Sequence, residues 1–94
     1  MSLVISPSVR KKLATRHHVT EEEILECFAN REAGFLLDMR ENHQSDPPTQ
    51  WFVAETDRGR KLKVAFINSP DKGIIIRTCY EANPDEIRIY NNFA

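Results

Sequence analysis

The chain has 94 residues, of which 40% are hydrophobic and 29% charged, and its net charge is −1. This length predicts a single domain, residues 1–94, with a modest core that needs no metal or disulfide. No apolar run is long enough for a membrane span, and the N-terminal charges follow the short apolar stretch instead of preceding it as in a signal peptide. These features predict a globular cytoplasmic protein that does not associate with membranes.

Charge is segregated along the chain. Residues 1–20 carry four basic and no acidic side chains, whereas residues 21–57 carry ten acidic and two basic ones. Residues 58–77 are basic again, with six basic side chains and one acidic. A basic surface can hold phosphate and an acidic flank can recruit a basic partner, although charge also serves simply to solvate helix faces.

Several kinds of site are not indicated. Cys27 and Cys79 are far apart, form no CxxC pair and lie in apolar patterns, which predicts reduced core residues. The sequence has no glycine-rich phosphate loop and no His, Cys and Asp cluster with zinc-site spacing. We therefore predict neither a metal nor a cofactor.

Two helices are predicted near the N-terminus. Ser6 is a good N-cap and Pro7 suits the first helical position, so the first helix continues over residues 8–17 with a basic solvent face. The second helix begins at a capping box, in which Thr20 and Glu23 bond each other's backbone N–H groups.

The rest of the chain reads as strands and one more helix. Residues 34–39 predict an edge strand and residues 40–49 a polar loop that ends in two prolines. Residues 50–80 contain three β-rich runs separated by two turns, and a helix follows from the cap at Asn83 and Pro84. The fold class is therefore α+β in two layers, with two N-terminal helices, a four-stranded antiparallel sheet and a C-terminal helix.

The second turn, residues 69–73, sets the register of the last two strands. It pairs Asn68 with Ile74 and Phe66 with Ile76, and continuing the count pairs Val64 with Thr78 and Leu62 with Tyr80. One face of the sheet is then apolar, and the other face carries Lys61, Lys63, Arg77 and Cys79.

The first turn leaves two alternatives open. Either Arg58 and Gly59 form a two-residue turn, or Asp57, Arg58 and Gly59 form a three-residue loop with Gly59 left-handed. The two alternatives place Trp51, together with Val53, on opposite faces of the sheet.

A set of cations with nearby proton carriers is the candidate site. Such a set can cleave RNA without a metal, because a His or Tyr moves the proton of a 2′-hydroxyl while cations stabilise the phosphorane charge. Alternatively, lysines on an open strand face only discourage edge pairing. The predicted catalytic residues are Arg77, Tyr80, His17 and His18, and the predicted RNA phosphate ligands are Arg58, Arg60, Lys61 and Lys63.

Four segments resemble the BrnT-like branch of the RelE-type toxin families. Residues 17–22, HHVTEE, stand where that branch has K-H-G-V-S and two acids, and residues 60–66, RKLKVAF, match its arginine-containing strand that ends in V-V-F. The last strand and helix of the branch, I-R-I-I-S-A-R and E-R-x-x-Y, correspond to residues 76–80 and 86–90 here. Two positions depart from the pattern, since Cys79-Tyr80-Glu81 replaces the small residue and arginine that end the strand, and His17 replaces a lysine.

The resemblance implies a toxin of a toxin–antitoxin system, with the RelE-like fold and metal-independent endoribonuclease activity. The alternative is a non-enzymatic protein- or nucleic-acid-binding module of the same fold that has lost the site. The expected partners are RNA, an antitoxin protein and, for a homodimer, a second copy of the chain.

Overall fold

A computed structural model describes residues 1–40 and 45–94. Five strands and three α-helices are present in these residues, and the first α-helix continues into a π-helical turn. In chain order the elements are β1 (Leu3–Val4), α1 (Pro7–Lys12), the π-helical turn (Leu13–His17), α2 (Glu21–Asn30), β2 (Leu36–Leu37), β3 (Thr49–Glu55), β4 (Lys61–Ser69), β5 (Gly73–Glu81) and α3 (Pro84–Phe93).

The α+β class is confirmed, but the predicted sheet was wrong in strand number and direction. The sheet has five strands in the order β1-β5-β4-β3-β2, and β1 runs parallel to β5 while the other pairs are antiparallel. A strand as short as Leu3–Val4 shows no alternating pattern, so it could not be predicted from the sequence. The predicted edge strand is present as β2, and residues 41–44 of the predicted polar loop lie outside the described residues.

Helices cover both faces of the sheet, so the two-layer prediction was also wrong. On one face, the ring of Phe28 in α2 lies 4.8 Å from Phe52 and 5.3 Å from Phe66. On the other face, Tyr90 of α3 lies 6.1 Å from Trp51. Phe52 and Trp51 are adjacent in β3 and therefore point to opposite faces, which places α2 and α3 on opposite sides.

The helix starts follow the sequence signals. Ser6 caps α1 with Pro7 at its first position, and the Thr20–Glu23 capping box at α2 is complete. A second complete box joins Asn83 and Glu86 at the start of α3. These local signals are reliable because each is satisfied within one turn of the chain.

The first hairpin has the three-residue loop. The N–H of Thr56 donates to the carbonyl of Arg60 at 2.9 Å, and the carbonyl of Thr56 accepts the N–H of Gly59 at 2.9 Å. Gly59 has a φ of 85°, which is left-handed. This geometry pairs Val53 with Lys63 and Trp51 with Ala65. Trp51 and Val53 therefore share the α3 face with Lys63.

A β-bulge at Arg77 overturns part of the predicted register. Asn68 pairs with Ile74 and Phe66 with Ile76 as expected, but Ala65 pairs with Thr78, so Arg77 is left without an opposite residue. The bulge shifts every later pair by one position. Val64 therefore faces Cys79, not Thr78, and Leu62 faces Glu81, not Tyr80.

The shift also corrects the face of Cys79. It was predicted beside Lys63, whereas it is fully buried with Val64 on the apolar face under α1 and α2. Tyr80 takes its place and stands directly opposite Lys63. Because side chains alternate along a strand, one extra residue moves each following side chain to the other face.

His18, which ends the π-helical turn, adopts a left-handed conformation with a φ of 52°. An L side chain there costs energy that glycine avoids. We expect His18→Gly to raise the free energy of unfolding by about 0.5–1 kcal/mol, or the melting temperature by roughly 4 °C, in a thermal unfolding experiment. His17→Gly is the matched control and should destabilise, because residue 17 is still helical. A loss of stability in His18→Gly would contradict the strain argument.

Candidate functional site

The polar centre of the α3 face is formed by Lys63, Tyr80 and Glu86. Lys63 and Tyr80 are paired across β4 and β5, and Glu86 reaches them from the first turn of α3. One carboxylate oxygen of Glu86, Oε2, accepts a hydrogen bond from the Tyr80 hydroxyl at 2.7 Å and lies 3.0 Å from Lys63 Nζ. The same atom therefore binds both strands. We call these three residues the Lys63–Tyr80–Glu86 cluster.

The second carboxylate oxygen of Glu86 serves the helix cap. Glu86 Oε1 accepts the backbone N–H of Asn83 at 3.0 Å, while the Asn83 side chain accepts the N–H of Glu86 at 2.8 Å. The carboxylate thus joins the start of α3 to the sheet.

Aromatic rings surround the ammonium group of Lys63. Its Nζ lies 4.6 Å from the centroid of Trp51 and 5.8 Å from that of Tyr80. Only 10% of the Lys63 side chain and 15% of the Glu86 side chain is exposed. A cation so enclosed is stabilised by the ring faces as well as by its carboxylate partner.

The cluster shifts the protonation equilibria of its members. Burial, followed by the hydrogen bond to Glu86 and its charge, raises the pKa of Tyr80 to about 12. Burial alone would raise the pKa of Glu86, but the Asn83 N–H, the Tyr80 hydroxyl and Lys63 outweigh it and lower that pKa. At neutral pH, Tyr80 is therefore a proton donor and Glu86 is an anion.

Two more groups lie beside Tyr80. The His17 ring is 5.6 Å from the Tyr80 ring, at the end of the π-helical turn. Arg40 makes a two-pronged contact with Asp38, at 3.0 and 2.8 Å, and the charges of both residues act on the pKa of Tyr80. His17 was predicted for the site from the sequence, whereas Arg40, Asp38, Trp51 and Glu86 were not.

Of the residues that the sequence did not predict for the site, only Glu86 belongs to a recognisable motif, the capping box with Asn83. That motif predicts the start of a helix and does not predict a contact with the strands. Its partners Lys63 and Tyr80 lie in other elements, so the contact depends on where α3 docks.

Arg60 is engaged within the fold. Its guanidinium donates to the carbonyls of His18 at 2.8 Å and His17 at 3.0 Å, and it pairs with Glu23 at 3.2 Å and Glu81 at 2.9 Å. Burial would lower the pKa of Arg60, but the bonds to Glu81 and Glu23 raise it. Arg60 therefore joins the π-helical turn, α2 and β5, and few of its donors remain for a phosphate.

The remaining predicted site residues are dispersed. Arg58, Lys61 and Arg77 are exposed, and their side chains make no hydrogen bond or ion pair with another described residue. Lys61 shares the α3 face with Lys63, and Arg77 lies in the bulge outside the buried core. His18 is also exposed. The structure therefore brings His17, Lys63 and Tyr80 together, engages Arg60 in contacts within the fold, and leaves the other predicted site residues exposed.

The two thiols are not candidate nucleophiles. Burial raises the pKa of Cys27 to about 12 and raises that of Cys79 as well. The Cys27 thiol donates a hydrogen bond to the carbonyl of Ala54 at 3.6 Å. A buried, protonated thiol is inert.

A separate cleft of about 750 Å³ lies between the end of α2, the first hairpin and α3. Its wall includes Asn30, Glu55, Asp57, Lys61 and Tyr90, and none of the residues of the Lys63–Tyr80–Glu86 cluster. Asn30 bonds both Asp57 and the carbonyl of Glu55 at 2.9 Å, so part of this acidic rim is satisfied internally.

Comparisons with protein-family models, with curated proteins and with solved structures found no match for this chain. Within residues 1–40 and 45–94, no group of three or more His, Cys, Asp or Glu side chains is placed to hold a metal ion. None of the helices in this part of the chain has the length and apolar character needed to cross a membrane.

Proposed function

We propose that this domain is a diverged BrnT/RelE-like toxin that cleaves RNA without a metal and is restrained by an antitoxin protein. The observation that carries the proposal is the juxtaposition of Lys63, Tyr80 and His17. The bulge sets Lys63 opposite Tyr80, and the π-helical turn brings the His17 ring to 5.6 Å from the Tyr80 ring. A cation, a hydroxyl donor and an imidazole are the groups that this reaction needs.

The reaction assigns one role to each group. His17 takes the proton of the RNA 2′-hydroxyl, whose oxygen forms a bond to the adjacent phosphorus. Lys63 stabilises the negative charge that develops on the phosphorane oxygens. The bond from phosphorus to the 5′-oxygen then breaks, and Tyr80 donates its proton to that oxygen. The products are a 2′,3′-cyclic phosphate and a free 5′-hydroxyl, and the later return of the proton from His17 to Tyr80 restores the starting state.

The exposed cations complete the proposed site. Arg77 lies three residues before Tyr80 in the same strand, and Arg58 and Lys61 lie in and beside the first hairpin. Because these three side chains have no partner within the described residues, they are available for the phosphates that flank the scissile bond. Of the three, we expect Arg77 to assist Lys63 in stabilising the negative charge of the transition state, while Arg58 and Lys61 bind the flanking phosphates.

A second candidate function is a binding module without catalysis. It is favoured by the engagement of two predicted ligands inside the fold, since Glu86 neutralises Lys63 and four acceptor groups occupy Arg60. In that case the exposed cations bind RNA or an acidic protein, and no product forms.

Induced expression and an RNA cleavage assay in the presence of EDTA test the proposal. We expect the wild-type chain to slow growth and to cleave RNA without added metal. Arg77→Ala should lower the cleavage rate about 10²–10³-fold, the usual loss for a missing charge donor, and leave the melting temperature unchanged. Arg88→Ala is the matched control, since Arg88 is an exposed arginine of α3 that contacts only Asp85.

The two candidate functions give different results in this experiment. If the wild type binds RNA but neither cleaves it nor slows growth, the domain is a binding module. If it does not bind RNA either, the exposed cations should be tested against acidic proteins. A short antitoxin-like reading frame next to the gene would favour the toxin.

A further inference from the structure

The carboxylate of Glu86 stands where a phosphate would bind. Its Oε2 atom lies 2.7 Å from the Tyr80 hydroxyl oxygen and 3.0 Å from Lys63 Nζ. A non-bridging phosphate oxygen that accepts from a hydroxyl and from an ammonium group would make the same two contacts at the same distances. The Trp51 ring, 4.6 Å from Lys63 Nζ, and the 10% exposure of the Lys63 side chain restrict the access of other anions to this ammonium group.

We propose that Glu86 is an internal mimic of the phosphate, and that the first turn of α3 must move before RNA phosphate can bind between Lys63 and Tyr80. The inference rests on the proposed function and adds regulation to it. In the closed state seen here, the carboxylate satisfies both groups, so RNA phosphate has to displace Glu86 and the activity of the wild-type domain is lowered but not abolished.

The proposal requires the first turn of α3 to move while the rest of the helix stays in place. In the second half of α3, the hydroxyl of Tyr90 donates to the carbonyl of Gly34 at 2.7 Å, which ties that half to the connection between α2 and β2. In the first turn, Asp85 is 74% exposed and Glu86 alone makes polar contacts with the sheet. The N–H of Ala82 bonds the carbonyl of Lys61 at 3.1 Å, so the chain up to Ala82 is fixed and the turn can pivot after it.

Opening would leave a net positive site. Among residues 1–40 and 45–94, the charged or titratable groups that contact Tyr80 or act on its pKa include Lys63 on β4, His17 on the π-helical turn, and Asp38 with Arg40 after β2. Glu86 is the only group of α3 among them. When Glu86 leaves, Lys63 loses its carboxylate partner, while the charge of Arg40 stays balanced by Asp38. This arrangement attracts phosphate.

Glu86→Gln tests the inference directly. Glutamine keeps the size of the side chain and an oxygen for the Asn83 cap, but it removes the charge that neutralises Lys63. We expect binding of a short RNA, and of inorganic phosphate as a minimal probe, to become about tenfold tighter, the worth of one charge-assisted hydrogen bond. Asp85→Asn, the matched control, makes the same charge change at the adjacent exposed residue and should leave both affinities unchanged.

Asn83→Ala gives a second route if Glu86→Gln does not fold. This change keeps the charge of Glu86 but breaks the capping box, which loosens the first turn. Affinity for RNA should then rise about fivefold, the factor that corresponds to the loss of a typical cap.

A third measurement reports the closed contact without any ligand. Absorbance titration of the tyrosines, with Tyr80→Phe to assign the signal, should show the Tyr80 pKa falling in Glu86→Gln, because the neighbouring negative charge is gone. An unchanged pKa of Tyr80 in Glu86→Gln would show that Glu86 does not contact Tyr80 in solution, which would contradict the proposal.

The outcomes separate this inference from the ribonuclease. If wild type and Glu86→Gln bind and cleave RNA equally well, the proposal that Glu86 mimics a phosphate is wrong and the ribonuclease proposal is supported. If Glu86→Gln binds phosphate more tightly but no variant cleaves RNA, the proposal that Glu86 mimics a phosphate is supported and the ribonuclease proposal is wrong. If no variant binds either probe, both are wrong.

Discussion

Arg60→Ala is expected to lower the free energy of unfolding by about 3 kcal/mol, because Arg60 is the only side chain that bonds the π-helical turn, α2 and β5 together in the described residues. The change leaves the carbonyls of His17 and His18 without their donor and Glu23 without its cation. Both partners of the Arg60–Glu23 pair are about one-quarter exposed, so solvent screens the pair only in part. The contact with Glu81, which is 68% exposed, contributes little.

Thermal or denaturant unfolding measures this loss. For a domain of this size it corresponds to a fall of roughly 12–20 °C in melting temperature. Arg58→Ala is the matched control, since it removes an exposed arginine from the same hairpin and should change stability by less than about 0.5 kcal/mol. Arg60→Lys should recover little, because an ammonium group cannot reach four acceptors in a planar fork.

The stability and the RNA affinity of Arg60→Ala together decide whether Arg60 is a structural residue or a phosphate ligand. If Arg60→Ala is as stable as the wild type but loses RNA affinity, the contacts seen here are replaceable and the original assignment as a phosphate ligand is correct. If stability falls while the RNA affinity of the folded fraction is unchanged, Arg60 is a structural residue, and the cations of the first hairpin that remain for a ligand are Arg58, Lys61 and Lys63.

Local features of the fold were predictable because their physical causes lie within a few residues. The capping boxes at Thr20 and Asn83 each close within one turn, and the second hairpin follows from a turn signal next to matched apolar residues. The three-residue loop at Gly59 was one of two stated alternatives, since a glycine at that point suits both. In each case the residues of a single turn were enough to predict the local structure or to reduce it to two alternatives.

The bulge at Arg77 was not predicted, because no proline or glycine marks it. Its effect is large, since one extra residue exchanges the positions of Cys79 and Tyr80 relative to Lys63. What decides it is packing, which buries Cys79 completely under the N-terminal helices. Strand β1 escaped prediction for a related reason, since Leu3 and Val4 pair only with distant residues of β5.

The cations were predicted as one set but fall into two groups in the structure. Arg60 and Lys63 hold acidic partners that are distant in sequence, whereas Arg58, Lys61 and Arg77 remain exposed. The sequence does not show which cations are paired. The acids that pair with Arg60 and Lys63 are Glu23 and Glu86, and from the sequence both were predicted only as members of helix capping boxes. Their second role depends on how α2 and α3 dock, which is a property of the tertiary structure.

Tyr80→Phe is expected to lower the rate of RNA cleavage about 10²–10³-fold if Tyr80 supplies the proton to the 5′-oxygen. The hydroxyl is suited to that role because burial and Glu86 raise its pKa to about 12, so it stays protonated through the neutral range. The loss in stability should be small, about 1 kcal/mol, since Glu86 keeps its ion pair with Lys63.

Tyr90→Phe is the control for this change, because it also removes one tyrosine hydroxyl that makes a 2.7 Å hydrogen bond, here to the carbonyl of Gly34. Its stability should fall by a similar amount while the cleavage rate of the folded protein stays within about twofold of the wild type. Equal losses of rate in the two variants would show that the rate follows stability and not proton transfer. A Tyr80→Phe variant that cleaves RNA at the wild-type rate would remove Tyr80 from the reaction and leave His17 as the only proton carrier beside Lys63.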